Sequence, residues 1–375
     1  MRGPRFTEVI ASLPATVPFV GPEAIERATG RAFAARIGAN ENVFGPSPRA
    51  VAAMAEALAD TWTYGDPENH DLRMALAERH GVAPENIVIG EGIDGLLGLL
   101  VRLLVTPGTP VVTSRGGYPT FSYHVAGFGG RCVTVPYRDD DHEDLDGLAA
   151  TARAVGAPLV YVANPDNPMG TWHEAEAVQH MIDTLPEDTV LCLDEAYIEF
   201  ASPDTAPPLD VSDPRVIRMR TFSKAHGLAG LRVGYAIGHR NLIAAFDKVR
   251  NHFGVNKLGQ VAALAALQDE DWLARTVRRV RASCDEIAAI ARDCGLVPLP
   301  TATNFVAIDT GRDGAFARRV VEEMRRRGIF IRMAFGPPQD RCIRISAGRP
   351  EHLALLRQTL PLALQAAEEA MANGS

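Results

Sequence analysis

Thr221–Gly234 reads TFSKAHGLAGLRVG, and the rest of the chain is best read outward from it. A strand-like run, Val216-Ile217-Arg218-Met219, leads into it. Then come a serine, a lysine, a glycine-bearing loop and an arginine eight residues after the lysine. A lysine just past a strand end, in an apolar setting, is a candidate Schiff-base nucleophile, because desolvation disfavours its charged form and frees the amine. Ser223 and Arg232 offer a phosphate beside it one hydroxyl and one guanidinium fork. A lone Ser-Lys pair is more often a surface feature, so the reading depends on what the remaining sequence supplies.

The chain has 375 residues, enough for two domains rather than one simple core. Apolar residues make up 46% and charged ones 22%, an enzyme-like balance far from that of a disordered chain. The net charge of -8 argues against a nucleic-acid-binding surface. Arg325-Arg326-Arg327 is a local basic run, but the apolar residues around it (Val321, Met324, Ile329) suggest the solvated face of a helix. The five cysteines are scattered, with no pair at metal-ligand spacing, so no structural zinc site is expected and a reduced, cytoplasmic protein is. The first residues show no long apolar core or cleavage site, and no run of about 18 apolar residues suggests a membrane span.

Further signals lie in order along the chain. Asn40 opens a turn-rich loop, NENVFGPSP, that feeds a helix at about 49–60 with Pro46 and Pro48 near its start. Tyr64 stands in Thr63-Tyr64-Gly65-Asp66-Pro67 before a second helix, at 71–80. Asn86–Gly98 runs from a β-branched strand through glycines into a helix start, where backbone N–H groups make an anion site. Such a loop also resembles part of a dinucleotide fingerprint, but the acid expected about 20 residues later is missing. An aromatic after the strand at 110–114, Phe121 or else Tyr118, is suited to stack on a flat ring. The strand at 158–163 ends in Asn164-Pro165-Asp166-Asn167-Pro168-Met169-Gly170. The strand at 189–193 ends in Asp194-Glu195-Ala196-Tyr197, and a carboxylate in such a buried crevice needs a cationic partner. A strand begins at 231–238, followed by amphipathic helices through Arg292. Short strands at 305–308, 330–332 and 342–346 then alternate with helices, ending in a helix at 350–372. Arg344, on the apolar strand Cys342–Ser346, needs an anion. Arg332 reads equally as an anion ligand or a surface arginine at a strand end.

Together these stretches resemble the fold type I aminotransferases that use pyridoxal 5′-phosphate (PLP), in the branch of the histidinol-phosphate aminotransferases. The likeness extends from Asn40 to Arg344, with Val43, Gly65, Asp166 and Met169 departing from the usual motifs and Phe19 where a tyrosine is frequent. It implies an α/β fold: a large domain (40–265) with a mostly parallel sheet flanked by helices, a small C-terminal α/β domain (266–375), and an N-terminal arm (1–39) packed on the small domain. It also implies that Lys224 bonds the cofactor covalently and moves the reacting proton, and that Asp194 faces the ring nitrogen. Asn167 and Tyr197 would bond its phenolic oxygen. Ile93, Asp94, Ser223 and Arg232 would hold its phosphate, and Phe121 would stack on its ring. Tyr64 would reach into the site of a partner subunit in a homodimer. On the substrate side Arg344 would clamp a carboxylate, Arg332 would hold a distal phosphate, and Asn40 would border the substrate. The expected activity is transfer of an amino group from histidinol phosphate or an aromatic amino acid to a 2-oxo acid such as 2-oxoglutarate. A decarboxylase of the same fold, similar to the threonine-phosphate decarboxylases, shares nearly all the cofactor residues. A non-catalytic PLP-binding regulator would usually carry a DNA-binding module, for which the chain has no room.

Overall fold

In the computed structural model residues 3–15 and 19–372 are described; residues 1–2 and 16–18 of the expected arm, and 373–375, lie outside them. The strands are, in chain order, β1 (Ala35–Arg36), β2 (Ile87–Gly90), β3 (Pro110–Ser114), β4 (Arg131–Val135), β5 (Leu159–Ala163), β6 (Val190–Asp194), β7 (Val216–Thr221), β8 (Gly234–Gly238), β9 (Val297–Pro298), β10 (Phe305–Asp309), β11 (Ile329–Phe330), β12 (Arg332–Met333) and β13 (Cys342–Ser346). β2 to β8 form one seven-stranded sheet in the order β2-β8-β7-β6-β5-β3-β4. All pairs are parallel except those of β8, which runs against both its neighbours.

Every residue of β2, β5 and β8 is buried, as expected for strands covered by helices on both faces. On one face the helix Gly92–Leu104 contributes Leu96, Leu97 and Leu100 to a core with Phe121, Tyr161 and Met219. On another side the helices Leu145–Val155 and Ala175–Thr184 pack Leu148 and Met181 against Val160 and Leu191. Local signals set the helix ends. Ser47 caps the helix Pro48–Ala57 through the Arg49 and Ala50 amides, and Asp144 caps Leu145–Val155 through Gly147 N–H.

A second, four-stranded antiparallel sheet, β12-β13-β10-β9, packs on the helices Glu270–Asp293, Gly314–Arg326 and Pro350–Ala372. β1 pairs in parallel with β11, and Ile37 sinks into this second core. The expected boundary at 265/266 falls inside the helix Lys257–Leu267, whose Ala262, Ala263 and Leu267 belong to the large core. The change of packing partner comes after it, at Gln268-Asp269, since the next helix places Val280, Cys284 and Ile287 in the other core. An alanine-rich run fits either core, so composition alone did not mark the division. The strand expected at 231–238 starts only at Gly234, because Ala229–Leu231 forms a 3-10 turn and Arg232 is left-handed (φ 55°). The strand expected at 330–332 divides at Ile331, where the chain leaves β1 for β13.

A buried ion cluster joins the two strands that bear the chemistry. Glu195, just after β6 and 1% exposed, accepts from Arg218 Nη2 at 2.5 Å and from Arg220 Nε at 2.8 Å, both arginines on β7. Burial alone would raise its carboxyl, but the guanidiniums of Arg220 and Arg218 outweigh this and hold it below the usual range. Truncation would leave two buried guanidiniums without their counter-charge. Glu195→Ala is therefore expected to lower folding stability by about 3–5 kcal/mol, read from denaturant unfolding.

Candidate active site

The parallel strands β5, β6 and β7 all end on one edge of the sheet, where the antiparallel β8 begins and the helix Gly92–Leu104 follows β2. Their C-terminal residues and the loops beyond enclose a cavity of about 250 Å³. Ile93, Asp94, Asn167, Asp194, Tyr197, Ser223, Lys224 and Arg232 all line it. Residues separated by more than 130 positions are thus gathered by strand order alone, at the edge where ligands sit in open α/β sheets.

Asp194 closes the bottom. It is 4% exposed, with Oδ2 accepting from Tyr161 Oη at 2.7 Å and Oδ1 from Ala196 N–H at 3.0 Å. Burial pushes its carboxyl up to about 6; the two hydrogen bonds and the Lys224 ammonium pull it back only in part. Tyr161 was not singled out from the sequence. The available signal was a tyrosine in a strand buried throughout, whose hydroxyl must find a partner.

Lys224 Nζ lies 5.6 Å from the centre of the Tyr197 ring and donates to the Asn40 carbonyl at 3.3 Å. Asn40 is itself left-handed (φ 56°). Its Nδ2 donates to Tyr197 Oη at 2.9 Å and its Oδ1 accepts from Ser346 Oγ at 3.0 Å. The side chain expected to border the substrate therefore lines a neighbouring cavity but is engaged within the protein, tying β13 to Tyr197 after β6.

At the other end Arg232 Nη1 donates to Ser223 Oγ at 3.2 Å, and its Nη2 lies 3.5 Å from the Asp94 carboxylate. Gly92 opens the helix there with φ +73°, and a Cβ on it would meet Arg232 Nη2 at 2.5 Å. The left-handed turn favours glycine here, and a side chain at this position would displace the Arg232 guanidinium from its place. Helix amides, a hydroxyl and a guanidinium form a set suited to a phosphate.

The two candidate aromatics are placed differently. Phe121 is fully buried and stacks on Tyr161, with ring centres 4.5 Å apart, outside the cavity. Tyr118 lines the cavity instead and donates to Asp94 Oδ1 at 2.8 Å. Tyr118 is the N-cap of the helix Pro119–Gly127, so it stays at the edge while Phe121, three residues on, turns into the core. Tyr64 also lies away from this cavity, 79% exposed and stacked at 4.8 Å on Phe253.

A second cavity, of about 230 Å³, continues past Lys224, Tyr118 and Asn167 to Arg332 and Arg344. Arg344, 4% exposed, donates from Nη1 to Asn167 Oδ1 at 2.5 Å and lies 5.0 Å from the centre of the Phe305 ring. Among the described residues its Nε is buried without a partner, and burial lowers the guanidinium to about 10. Arg332 faces it across β12 and β13 in register, so both side chains rise from one face of the sheet.

The sequence profile of the aminotransferase class I and II family matches residues 35–360. The chain belongs to this family. It is 39% identical over 322 residues to a histidinol-phosphate aminotransferase of Roseiflexus castenholzii, covering 84% of this chain and 86% of the relative. It is 36% identical over 373 residues to histidinol-phosphate aminotransferase 2 of Ralstonia nicotianae, covering 98% of each. The crystal structure of the Sinorhizobium meliloti histidinol-phosphate aminotransferase in complex with pyridoxal 5′-phosphate superposes with a TM-score of 0.94 at 55% identity, covering 97% of this chain and 99% of that one. Aspartate aminotransferase of Thermus thermophilus shares the fold, with a TM-score of 0.81 at 21% identity. The protein is a PLP-dependent aminotransferase of fold type I.

The residues present fit that cofactor. The buried Asp194 lacks a full cationic partner, which a protonated pyridine would provide, and Gly92 leaves room for the phosphate-type donor set beside it. A proton on Asp194 would have to leave before the carboxylate could pair with a pyridinium, so cofactor affinity is expected to fall as pH drops through about 6. Tyr161→Phe removes a hydrogen bond that favours the ionised form. It is expected to shift this fall to higher pH and to weaken binding near neutrality by about tenfold, read from cofactor fluorescence titrations across pH.

Proposed function

We propose that this aminotransferase takes histidinol phosphate as amino donor and 2-oxoglutarate as acceptor. The names of its relatives at 36–55% identity support the donor. The observation that carries it in this chain is the pair Arg332 and Arg344, side by side on one sheet face and opening into the cavity that contains Lys224. Histidinol phosphate carries a phosphate ester one carbon from its amine-bearing carbon, and the acceptor carries carboxylates. Two guanidiniums at one end of the chamber suit both anions, one in each half-reaction.

When bound, PLP withdraws electrons from the donor carbon through its ring. The chain's part is to hold and orient it and to move protons. Ser223, Arg232 and the amides of Ile93 and Asp94 would hold the cofactor phosphate. Asn167 and Tyr197 would bond its phenolic oxygen, and Tyr118, rather than Phe121, would face its ring. Asp194 would keep its ring nitrogen protonated. Lys224 Nζ would bond the cofactor and, once released, carry the reacting proton. Arg344 would fix the acceptor carboxylate, and Arg332 the donor phosphate.

A homodimer and a cytoplasmic location belong to the same proposal. Trp62, Tyr64, Leu58, Val51 and Phe253 are large apolar side chains exposed on one chain, and a second copy of the chain would cover them. Tyr64 would then be placed to reach the other copy's site. All five cysteines are free, and among the described residues no helix is long and apolar enough to cross a membrane.

Lys224→Ala is expected to abolish turnover and the visible absorbance of lysine-linked cofactor. In the wild type, histidinol phosphate with 2-oxoglutarate is expected to yield glutamate; release of carbon dioxide, or equal rates with unphosphorylated donors, would sink the substrate assignment. Arg344→Gln is expected to raise KM for 2-oxoglutarate by roughly 10–100-fold in steady-state assays.

A further inference from the structure

Beyond Arg332 the chamber opens into an outer cavity of about 390 Å³. Phe19, Arg332 and Phe335 line both spaces, and the two phenylalanine rings meet edge to face at 6.4 Å. The far wall is the helix Gly314–Arg326, which presents Arg318, Val321, Glu322 and Arg325 at helical spacing. The basic run Arg325-Arg326-Arg327 therefore does not act as one solvated face. Arg326 and Arg327 both pair with Glu323, on the other side of the helix. Arg325 turns away from them, with Cζ 5.8 Å from the centre of the Phe330 ring.

Arg332 Cζ lies 5.6 Å from the centre of that same ring, so the two guanidiniums flank one aromatic side chain. Both are half-buried, and burial lowers both below the ordinary arginine value; for Arg332 the nearby Arg325 charge adds to this. Among the described residues Arg325 Nε is buried with no hydrogen-bond partner, and Arg332 Nη2 donates to the Val20 carbonyl at 3.3 Å. The carboxylates on this wall offset their burial only in part: Glu322, bonded to Arg319 at 3.2 Å, attracts Arg325 by less than burial costs it, and Asp340 lies against Gly314. Glu41 is the acid nearest in effect to Arg332, and its attraction ranks below the repulsion from Arg325. Two partly desolvated guanidiniums, neither in an ion pair with a carboxylate among the described residues, form a site suited to an anion.

We propose that Arg325 is a specificity residue for the phosphate of the donor. It joins Arg332 to make a two-guanidinium site that favours a dianionic phosphate ester over a single carboxylate. The site lies where the reacting chamber meets the outer cavity, behind the Phe19–Phe335 pair. This rests on the reading of a phosphorylated donor above. Two forks on one phosphate supply more charge and more hydrogen bonds than a carboxylate can use. Acids that lack the second charge leave part of the site unsatisfied.

The test uses the holoenzyme, whose own phosphate-binding end is filled by its cofactor. Arg325→Gln, Arg325→Lys and the control Arg326→Gln are compared with the wild type for inorganic phosphate binding by calorimetry and for KM and kcat with histidinol phosphate. Arg325→Gln is expected to weaken phosphate binding and raise KM for histidinol phosphate by roughly 10–100-fold, with kcat within about twofold. Lysine should restore part of the loss, and Arg326→Gln should change neither. KM for 2-oxoglutarate should stay unchanged, which separates a lost phosphate contact from a general disturbance of the helix. Phosphate binding equal to wild type in Arg325→Gln, or equal losses in Arg326→Gln, would overturn the proposal. A wild type that ignores the donor's phosphate would overturn the donor assignment instead; phosphate binding weakened in Arg325→Gln alone would then still support the site.

Discussion

A carboxylate buried at the end of a central strand governs this structure. Asp194 has a tyrosine hydroxyl, one backbone amide and only a partial attraction from Lys224 to offset its loss of hydration, which is why its carboxyl sits far above its usual range. A soluble protein rarely tolerates such a group unless a ligand completes it. The sheet makes the arrangement possible. With β5, β6 and β7 parallel and covered on both faces, their ends form a crevice at whose base Asp194 is buried. The ion cluster of Glu195 with Arg218 and Arg220 fixes β6 against β7 directly beneath the catalytic edge.

Asn40 does for the two cores what Glu195 does for the two strands. Its backbone carbonyl accepts from Lys224 and from Asn304 Nδ2, its amide bonds Tyr197, and Ser346 bonds both its backbone N–H and its side-chain oxygen. One residue thereby connects the lysine loop, the tyrosine after β6, β13 and the residue that leads into β10. A left-handed backbone at a non-glycine position is sparsely populated, and asparagine is the side chain that adopts it most readily. The motif position thus has a structural reason independent of any substrate.

Much of this was legible in the sequence because strand ends carried the motifs. The runs at 110–114, 342–346 and 350–372 match the observed elements, and the chemistry-bearing residues follow apolar β-branched stretches whose pattern is plain. What escaped reading depended on direction rather than on composition. Phe121 and Tyr118 are both aromatic and three residues apart, and only the helix start at Pro119 decides which one faces the cavity. Arg325, Arg326 and Arg327 look alike in a list, yet Glu323 draws two of them to one side. Tyr161 was hidden by the uniform burial of its strand. Contacts of these kinds are set by tertiary packing, to which local periodicity is blind.

The division of labour between the two sheets has a consequence for molecular recognition. Asp194 and Lys224, the carboxylate and amine proposed to act on the reacting centre, stand at the end of β6 and in the loop after β7 of the seven-stranded sheet, while Arg332 and Arg344 rise from the four-stranded one. A molecule held at both ends spans the seam and becomes a strut between the two bodies. An amine without an anionic tail would touch only one wall, and the enzyme's selectivity would then reside as much in that mechanical bridging as in any single contact.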